Sequence, residues 1–347
     1  MAVAEKPYVE TDFALRKERS PWGDAFQQLL KHKVAVGSGV FIILLILMAL
    51  FANFVAPFPY ARASFKDNYA PAGSITQLEK PEFAGKRYWL GADYLGRDIL
   101  SRTIFGAQVS LAVGFVGAGV SMIIGVVYGL VSGYSSARID NIMMRFVDFL
   151  YALPLIIFVI LMQVFFKAQA RHVTQGAASF WTPFVAIDQK LGGMFFLFVA
   201  LGVLNWLGMA RLTRGQVLSY REKEFIEAAR MVGASDMRIV FKHLLPNVLG
   251  PCIVAETLTI PGYIFLEAFL SFIGLGIGAP RPSWGNMISE NYAGLYAVRG
   301  QSLGEILIDS HLLLSVLVPS VALTVTVLAF NFLGDGLRDA FDPRLRE

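Results

Sequence analysis

Two carboxylates stand inside an otherwise uncharged stretch, Glu256 and Glu267 within residues 248–273. An ionisable group in a lipid-spanning segment is costly and is usually kept for a function. They lie eleven residues apart, about three helical turns, so a helix carries both on one face. Three roles are open to them: lining an aqueous cavity or pairing with a neighbouring subunit's helix, relaying protons, or touching a transported solute. Asn205, at the end of the preceding apolar run, is a further candidate for a cavity wall. Little else in the chain can do chemistry. His32, His172, His243 and His311 are scattered without ligand spacing, and Cys252 is alone, so no metal site is expected. No GxxxxGK[ST] occurs and no lysine precedes Ser or Thr, so the chain lacks a P-loop, and no residue set reads as catalytic. The net charge of +4, without a basic stretch interleaved with aromatics, points away from nucleic acid.

The second candidate stretch is polar and lies between long apolar runs: EFIEAARMVGASDMRIVFKHLLPN, residues 224–247. Its helix formers Glu227, Ala228, Ala229, Arg230 and Met231 predict a first helix over 223–232, with Gly233 as its C′ residue. Phe225, Ala228, Ala229 and Val232 recur at helical spacing and give that helix an apolar face to bury. Ser235 reads as the N-cap of a second helix that stops before Pro246. A compact helix–Gly–helix elbow of this kind is shaped to be gripped by another protein.

The elements that must position these residues are membrane helices. At 347 residues, 55% hydrophobic and 16% charged, the chain is too apolar for an ordinary soluble domain. Apolar runs of spanning length recur at about 34–55, 109–134, 146–166, 194–209, 248–273 and 312–333. The expected organisation is a segment 1–33, a membrane domain 34–333 and a tail 334–347. No cleaved signal peptide is expected at the polar N-terminus. Ser20 and Pro21 begin an amphipathic helix with Trp22, Phe26, Leu29 and Leu30 on one face, lying on the membrane surface or packing on a partner. In the second span Gly117, Ser121, Gly125, Gly129 and Gly133 fall every fourth residue, a small-residue stripe that marks a packing seam. Asp98 and Arg102 are predicted to pair at i, i+4, and Arg145 with Asp148 at i, i+3. Pro154 is expected to kink the third span, and Pro251 and Pro261 to interrupt the fifth. Residues 167–193 read as a polar and aromatic loop. Most of the 30 lysines and arginines fall on the side of the elbow and both termini, which the positive-inside rule places in the cytoplasm.

Glu227-Ala228-Ala229, Gly233 three residues beyond Arg230, and Leu245-Pro246 resemble the EAA loop of binding-protein-dependent ABC importer permeases. His243 stands where the general pattern often has an aliphatic residue. Three further runs resemble the dipeptide/oligopeptide subfamily: YWLGADYLGRDILSRTIFGAQVSL (88–111), SFIGLGIGAPRPSWGNMI (271–288) and NFLGDGLRDAFDP (331–343). The resemblance runs from about residue 20 to the end, broken mainly by 167–193. It implies an all-α polytopic fold of six transmembrane helices with a cytoplasmic coupling loop and an N-terminal amphipathic helix. It also implies that Glu227, Ala228, Ala229, Arg230, Gly233, Leu245 and Pro246 contact an ATPase. The implied partners are a homologous second permease, two ATPase subunits that bind the ATP and Mg, an extracytoplasmic solute-binding protein and membrane lipid. This chain would hold no cofactor and would pass peptides or a similar small solute across the cytoplasmic membrane. The competing readings are an ion-gradient-driven carrier using Glu256 and Glu267, and a scaffold or receptor without transport.

Overall fold

An apolar chain in lipid must satisfy its backbone polar groups internally, and a helix does so within one segment. The computed structural model describes residues 21–77, 82–175, 180–299 and 310–341, and among these no strand forms. The Ser20 cap and the tail residues 342–347 lie outside the described residues. In chain order the helices are α1 (Pro21–Lys31), α2 (Lys33–Leu50), the short α3 (Ala52–Val55), α4 (Ile99–Tyr134), α5 (Ala137–Tyr151), α6 (Leu155–Thr174) and α7 (Thr182–Lys190). There follow α8 (Phe195–Tyr220), α9 (Glu224–Met231), α10 (Asp236–Arg238), α11 (Leu245–Phe272), α12 (Trp284–Arg299) and α13 (Ser310–Phe341). Six described rods are long and apolar enough to span a bilayer: α2, α4, α6, α8, the continuous run Asp236–Phe272, and Leu313–Phe341 within α13.

α4 is the spine. At 36 residues it is about 54 Å long, well beyond a hydrocarbon core of about 30 Å. Its small-residue stripe is divided between two neighbours. A Cβ placed on Gly125 would stand 2.5 Å from the Met209 Cβ of α8, and one on Gly129 would stand 2.5 Å from the Thr213 Cβ. One on Gly133 would stand 2.9 Å from the Val217 Cβ, while Gly117 faces the Tyr263 ring of α11. Ser121 lies between, donating to the Asn205 carbonyl of α8 at 3.2 Å. α13 packs on α2 and α11, and α1 leans on α13, where Leu29 approaches Gly336.

Several helix bounds differ from the sequence-based expectation. The third span begins at Leu155, because Pro154 separates α5 from α6 and caps the latter instead of kinking one rod. α11 runs unbroken through Pro251 and Pro261, as lipid-embedded helices can when neighbours re-satisfy the freed carbonyls. α8 continues past residue 209 to Tyr220 because acids on α5 hold its basic end: Arg211 meets Asp148 and Arg214 meets Asp140, each at 2.6 Å. Arg211 thereby takes Asp148, the carboxylate expected to pair with Arg145. Of the expected loop 167–193, the described residues 167–174 and 182–190 are helical, with Phe166 stacked on Phe196 at 4.5 Å and Trp181 against both Phe165 and Phe166.

At the end of the bundle away from the elbow, residues 56–77 and 82–98 fold around the buried Asp67 carboxylate. It accepts from the Thr76 hydroxyl at 2.7 Å, the Gln77 amide at 2.9 Å and the Tyr88 phenol at 3.0 Å. Burial opposes its ionisation, but these three donors hold Asp67 below the usual carboxylate range. Burial also pushes the Tyr88 phenol up to about 12. The expected Asp98–Arg102 pair does not form. Asp98 caps α4 by accepting the Ser101 amide at 2.7 Å, as the orphan donors of a first turn require. Arg102 turns instead to Glu290 of α12 at 3.1 Å, alongside Arg97, which bridges Glu290 and Asp93.

Candidate functional site

The elbow is built from local signals. α9 ends where Gly233 adopts φ +82. Gly233 donates to the Arg230 carbonyl at 2.9 Å and Ala234 to the Ala229 carbonyl at 3.0 Å, the paired bonds of a Schellman stop. The chain re-enters helix at Asp236, but this second helix does not stop before Pro246. It widens into a π turn, Ile239–Leu244, and runs on into α11. Proline lacks an N–H and its ring crowds the carbonyl four residues back. A wide turn that ends just before Pro246 relieves both problems.

Which side of α9 faces the bundle differs from the expectation. Ile226 is fully buried, packed with Ile239, Leu244 and Val248 against Val126 and Leu130 of α4 and Met209 and Val217 of α8. The stripe of Phe225, Ala228 and Val232 faces out, Val232 being 90% exposed, with Ala229 at the edge. Met231 at 84%, Met237 and Phe241 extend the outward apolar surface. Glu227, Arg230 and Pro246 are exposed beside them, and Leu245 is half-buried. The structure thus gathers Glu227, Ala228, Arg230 and Gly233 on one accessible elbow.

Polar contacts tie the elbow's surroundings together. Arg214 makes a two-pronged bond to Asp140, 2.6 Å on each oxygen, and the Ser132 hydroxyl also donates to that carboxylate. The Arg214 hydrogen bond holds Asp140 below the usual carboxylate range. Arg221 donates to the Gly133 carbonyl at 3.0 Å, and the Tyr134 hydroxyl donates to Asp236 at 2.6 Å.

A cavity of about 670 Å³ opens among α5, α6, α8 and α11. Tyr151, Asn205, Thr259 and Tyr263 supply its polar groups and leucines with Gly208 and Gly262 the rest, with no charged side chain in its lining. Asn205 is therefore at the wall, whereas Glu256 and Glu267 are not. Glu256 stands one layer behind, accepting from the cavity-lining Tyr263 at 3.0 Å and from Ser121 at 3.3 Å. Glu267, fully buried, accepts from Ser110 of α4 at 3.1 Å and from Ser271 at 2.7 Å. Both carboxylates pin α11 to α4 through hydroxyl groups. A sequence alone could not separate them from Asn205, because which face of α11 meets α4 is a tertiary fact. Thr259 and Tyr151 were missed; neither is charged, and nothing in their local sequence distinguishes them from other span residues.

Six rods around a buried seam, with an apolar elbow turned outward and an uncharged cavity, define a polytopic helical membrane protein. Residues 125–347 match the family described as binding-protein-dependent transport system inner membrane component, and 20–72 match the N-terminal TM domain of oligopeptide transport permease C. The chain is 38% identical to a dipeptide transport system permease protein of Bacillus subtilis over 97% of this chain and 90% of the relative. It is 35% identical to an oligopeptide transport system permease protein of the same organism, over 96% and 92% respectively. A glutathione transport system permease protein of Pectobacterium atrosepticum is 35% identical over 94% and 93%. The chain belongs to the binding-protein-dependent transport permease family: it is a transmembrane permease subunit of an ATP-driven importer, and the ATPase is a separate subunit. Membership removes the ion-gradient-driven carrier, and with it the role of Glu256 and Glu267 as that carrier's proton sites. Subunits of this kind act with ATPases, a partner permease and a solute-binding protein in the inner membrane.

Proposed function

We propose that this subunit passes peptides, or a similar small solute, through the cavity lined by Asn205, and that the elbow is its contact with the ATPase. The observation that carries the reading is the outward apolar stripe on α9. Phe225, Ala228 and Val232, with Met231 beside them, form an amphipathic face turned away from the bundle. Such a face on a short helix is stabilised by a partner's cleft. Glu227, Ala229, Arg230, Gly233, Leu245 and Pro246 shape or border it. Two ATPase subunits bind the ATP and Mg, a homologous permease completes the pore, and an extracytoplasmic binding protein delivers solute. Both termini and the elbow face the cytoplasm. Likeness to dipeptide, oligopeptide and glutathione permeases supports a peptide-like solute, and the uncharged cavity wall is suited to solutes of varied side chain.

The test is substitution on the outward stripe. Val232→Asp and Glu227→Lys are expected to reduce co-purification of the ATPase and ATP-driven uptake at least about tenfold, the scale of a lost interface anchor. Membrane insertion should be unchanged. Parental uptake and ATPase association in both variants would refute the contact.

A further inference from the structure

The ends of three spans meet at the elbow: α4 closes at Tyr134, α8 at Tyr220, and the rod leading into α11 opens at Asp236. Covalent continuity carries any displacement of the elbow into α11 and, through residues 221–223, into α8, but α4 needs contacts of its own. α9 itself offers few. Ile226 and the edge of Ala229 are its apolar anchors, while most of its other side chains face out. The second half of the elbow is different, because Asp236 accepts the Tyr134 hydroxyl at 2.6 Å across 102 residues of sequence. The Arg230 guanidinium lies 6.0 Å from the Tyr134 ring, so both halves of the elbow converge on this one side chain.

Beyond Tyr134 the path is stiff. Gly125, Gly129 and Gly133 bring α4 so close to α8 that even a methyl group would collide with Met209, Thr213 or Val217, so the two helices cannot slide independently. Arg221 of the α8 end holds the Gly133 carbonyl at 3.0 Å. Asp140 of α5 is clasped by Arg214 of α8 and Ser132 of α4. The ends of α4, α5 and α8 therefore form one block, and α4 meets the second half of the elbow through the Tyr134–Asp236 hydrogen bond and the apolar packing of Ile239 and Leu244 with Val126 and Leu130.

We propose that Tyr134 and Asp236 are positioning residues for energy coupling: their hydrogen bond ties the end of α4 to the second half of the elbow, so that α4 follows when the ATPase moves it. This rests on the elbow being the ATPase contact. If continuity into α8 and α11, with the apolar packing, were sufficient, the bond would be dispensable, and that difference is measurable.

The experiment uses the whole complex in proteoliposomes, with the ATPase, the partner permease and the binding protein supplied with a dipeptide. Solute moved per ATP hydrolysed is compared for parent, Tyr134→Phe, Asp236→Ala, Asp236→Asn and the Tyr134→Phe/Asp236→Ala double variant. Loss of a hydrogen bond to a charged acceptor should lower the ratio about threefold or more in Tyr134→Phe and in Asp236→Ala. The double variant should be no worse than either, since both remove the same bond. Asp236→Asn keeps an acceptor oxygen and should restore most of the ratio. The melting temperature of the Tyr134→Phe complex should match the parent's. A parental ratio in Tyr134→Phe would overturn the proposal. So would a loss in every variant, Asp236→Asn included, that follows a lowered melting temperature, since that is a purely structural role. If the parent complex moves solute without ATP, the functional reading fails instead, and that is read before any variant is compared.

Discussion

At φ +82 Gly233 carries the turn of the elbow, and nothing lies within 4 Å of where its Cβ would be. The cost of replacing it is therefore backbone strain alone, about 1–2 kcal/mol for a residue with a Cβ. Asn tolerates this conformation better than Val, so Gly233→Val should lose more ATPase co-purification and uptake than Gly233→Asn. Equal losses would mean that size, not backbone, matters there. Asp67 makes a second prediction, at the other end of the molecule. Its three donors lower its folded pKa below the unfolded value of about 3.9. The stability it contributes is then fully present above that unfolded value and is lost as pH falls through the folded one. Asp67→Asn should melt below the parent at neutral pH, with the gap closing only below about pH 4. A constant gap from neutral pH down to pH 3 would show that ionisation of Asp67 is not what stabilises the segment. The Gly233 stop is legible in sequence because its two bonds, Gly233 to the Arg230 carbonyl and Ala234 to the Ala229 carbonyl, span no more than five positions. Asp98 and Arg102 were not, because Arg102 finds Glu290 188 residues away. The stripe on α9 was visible, but not the choice of Ile226 as its anchor, which α4 and α8 make.

Among the elements, α4 shows what sequence periodicity can and cannot resolve. A small residue at every fourth position announces a seam, yet not that the seam turns from α11 at Gly117 to α8 at Gly125. Gly125→Leu must displace Met209 and the Trp206 carbonyl, and overpacking of this kind costs about 1–3 kcal/mol or more. Gly119→Leu, on the same helix with nothing within 4 Å, is the control and should cost little. Melting temperatures of the assembled complex separate the two, and equal losses would deny the seam its packing role. Helix bounds failed for local reasons that packing overrides. Pro251 and Pro261 are signals of interruption in water but remain inside α11, whereas Pro154 does break the chain. Pro246 was expected to end a helix and is instead accommodated by the π turn before it.

At the scale of the whole molecule, the carboxylates on α11 belong to the packing of the bundle. Glu256 and Glu267 receive hydrogen bonds from Ser121, Tyr263, Ser110 and Ser271, and neither forms a salt bridge among the described residues. A glutamine at either place keeps an acceptor oxygen and nearly the same volume. A leucine leaves buried hydroxyls without an acceptor, each at a cost of about 1–3 kcal/mol. Glu267→Gln should therefore retain most ATP-driven uptake, while Glu267→Leu should destabilise the complex and lower uptake in step with its melting temperature. The source of free energy is tested on the same proteoliposomes, with ATP at the ATPase face and a protonophore present. In an ATP-driven importer the gradient supplies nothing the elbow needs, so uptake by the parent and by Glu256→Gln should persist with the protonophore and stop when ATP is withheld. Uptake abolished by the protonophore despite ATP would mean that protons crossing the bundle do the work. The hydroxyl-bound carboxylates between α4 and α11 would then be the first groups to reconsider.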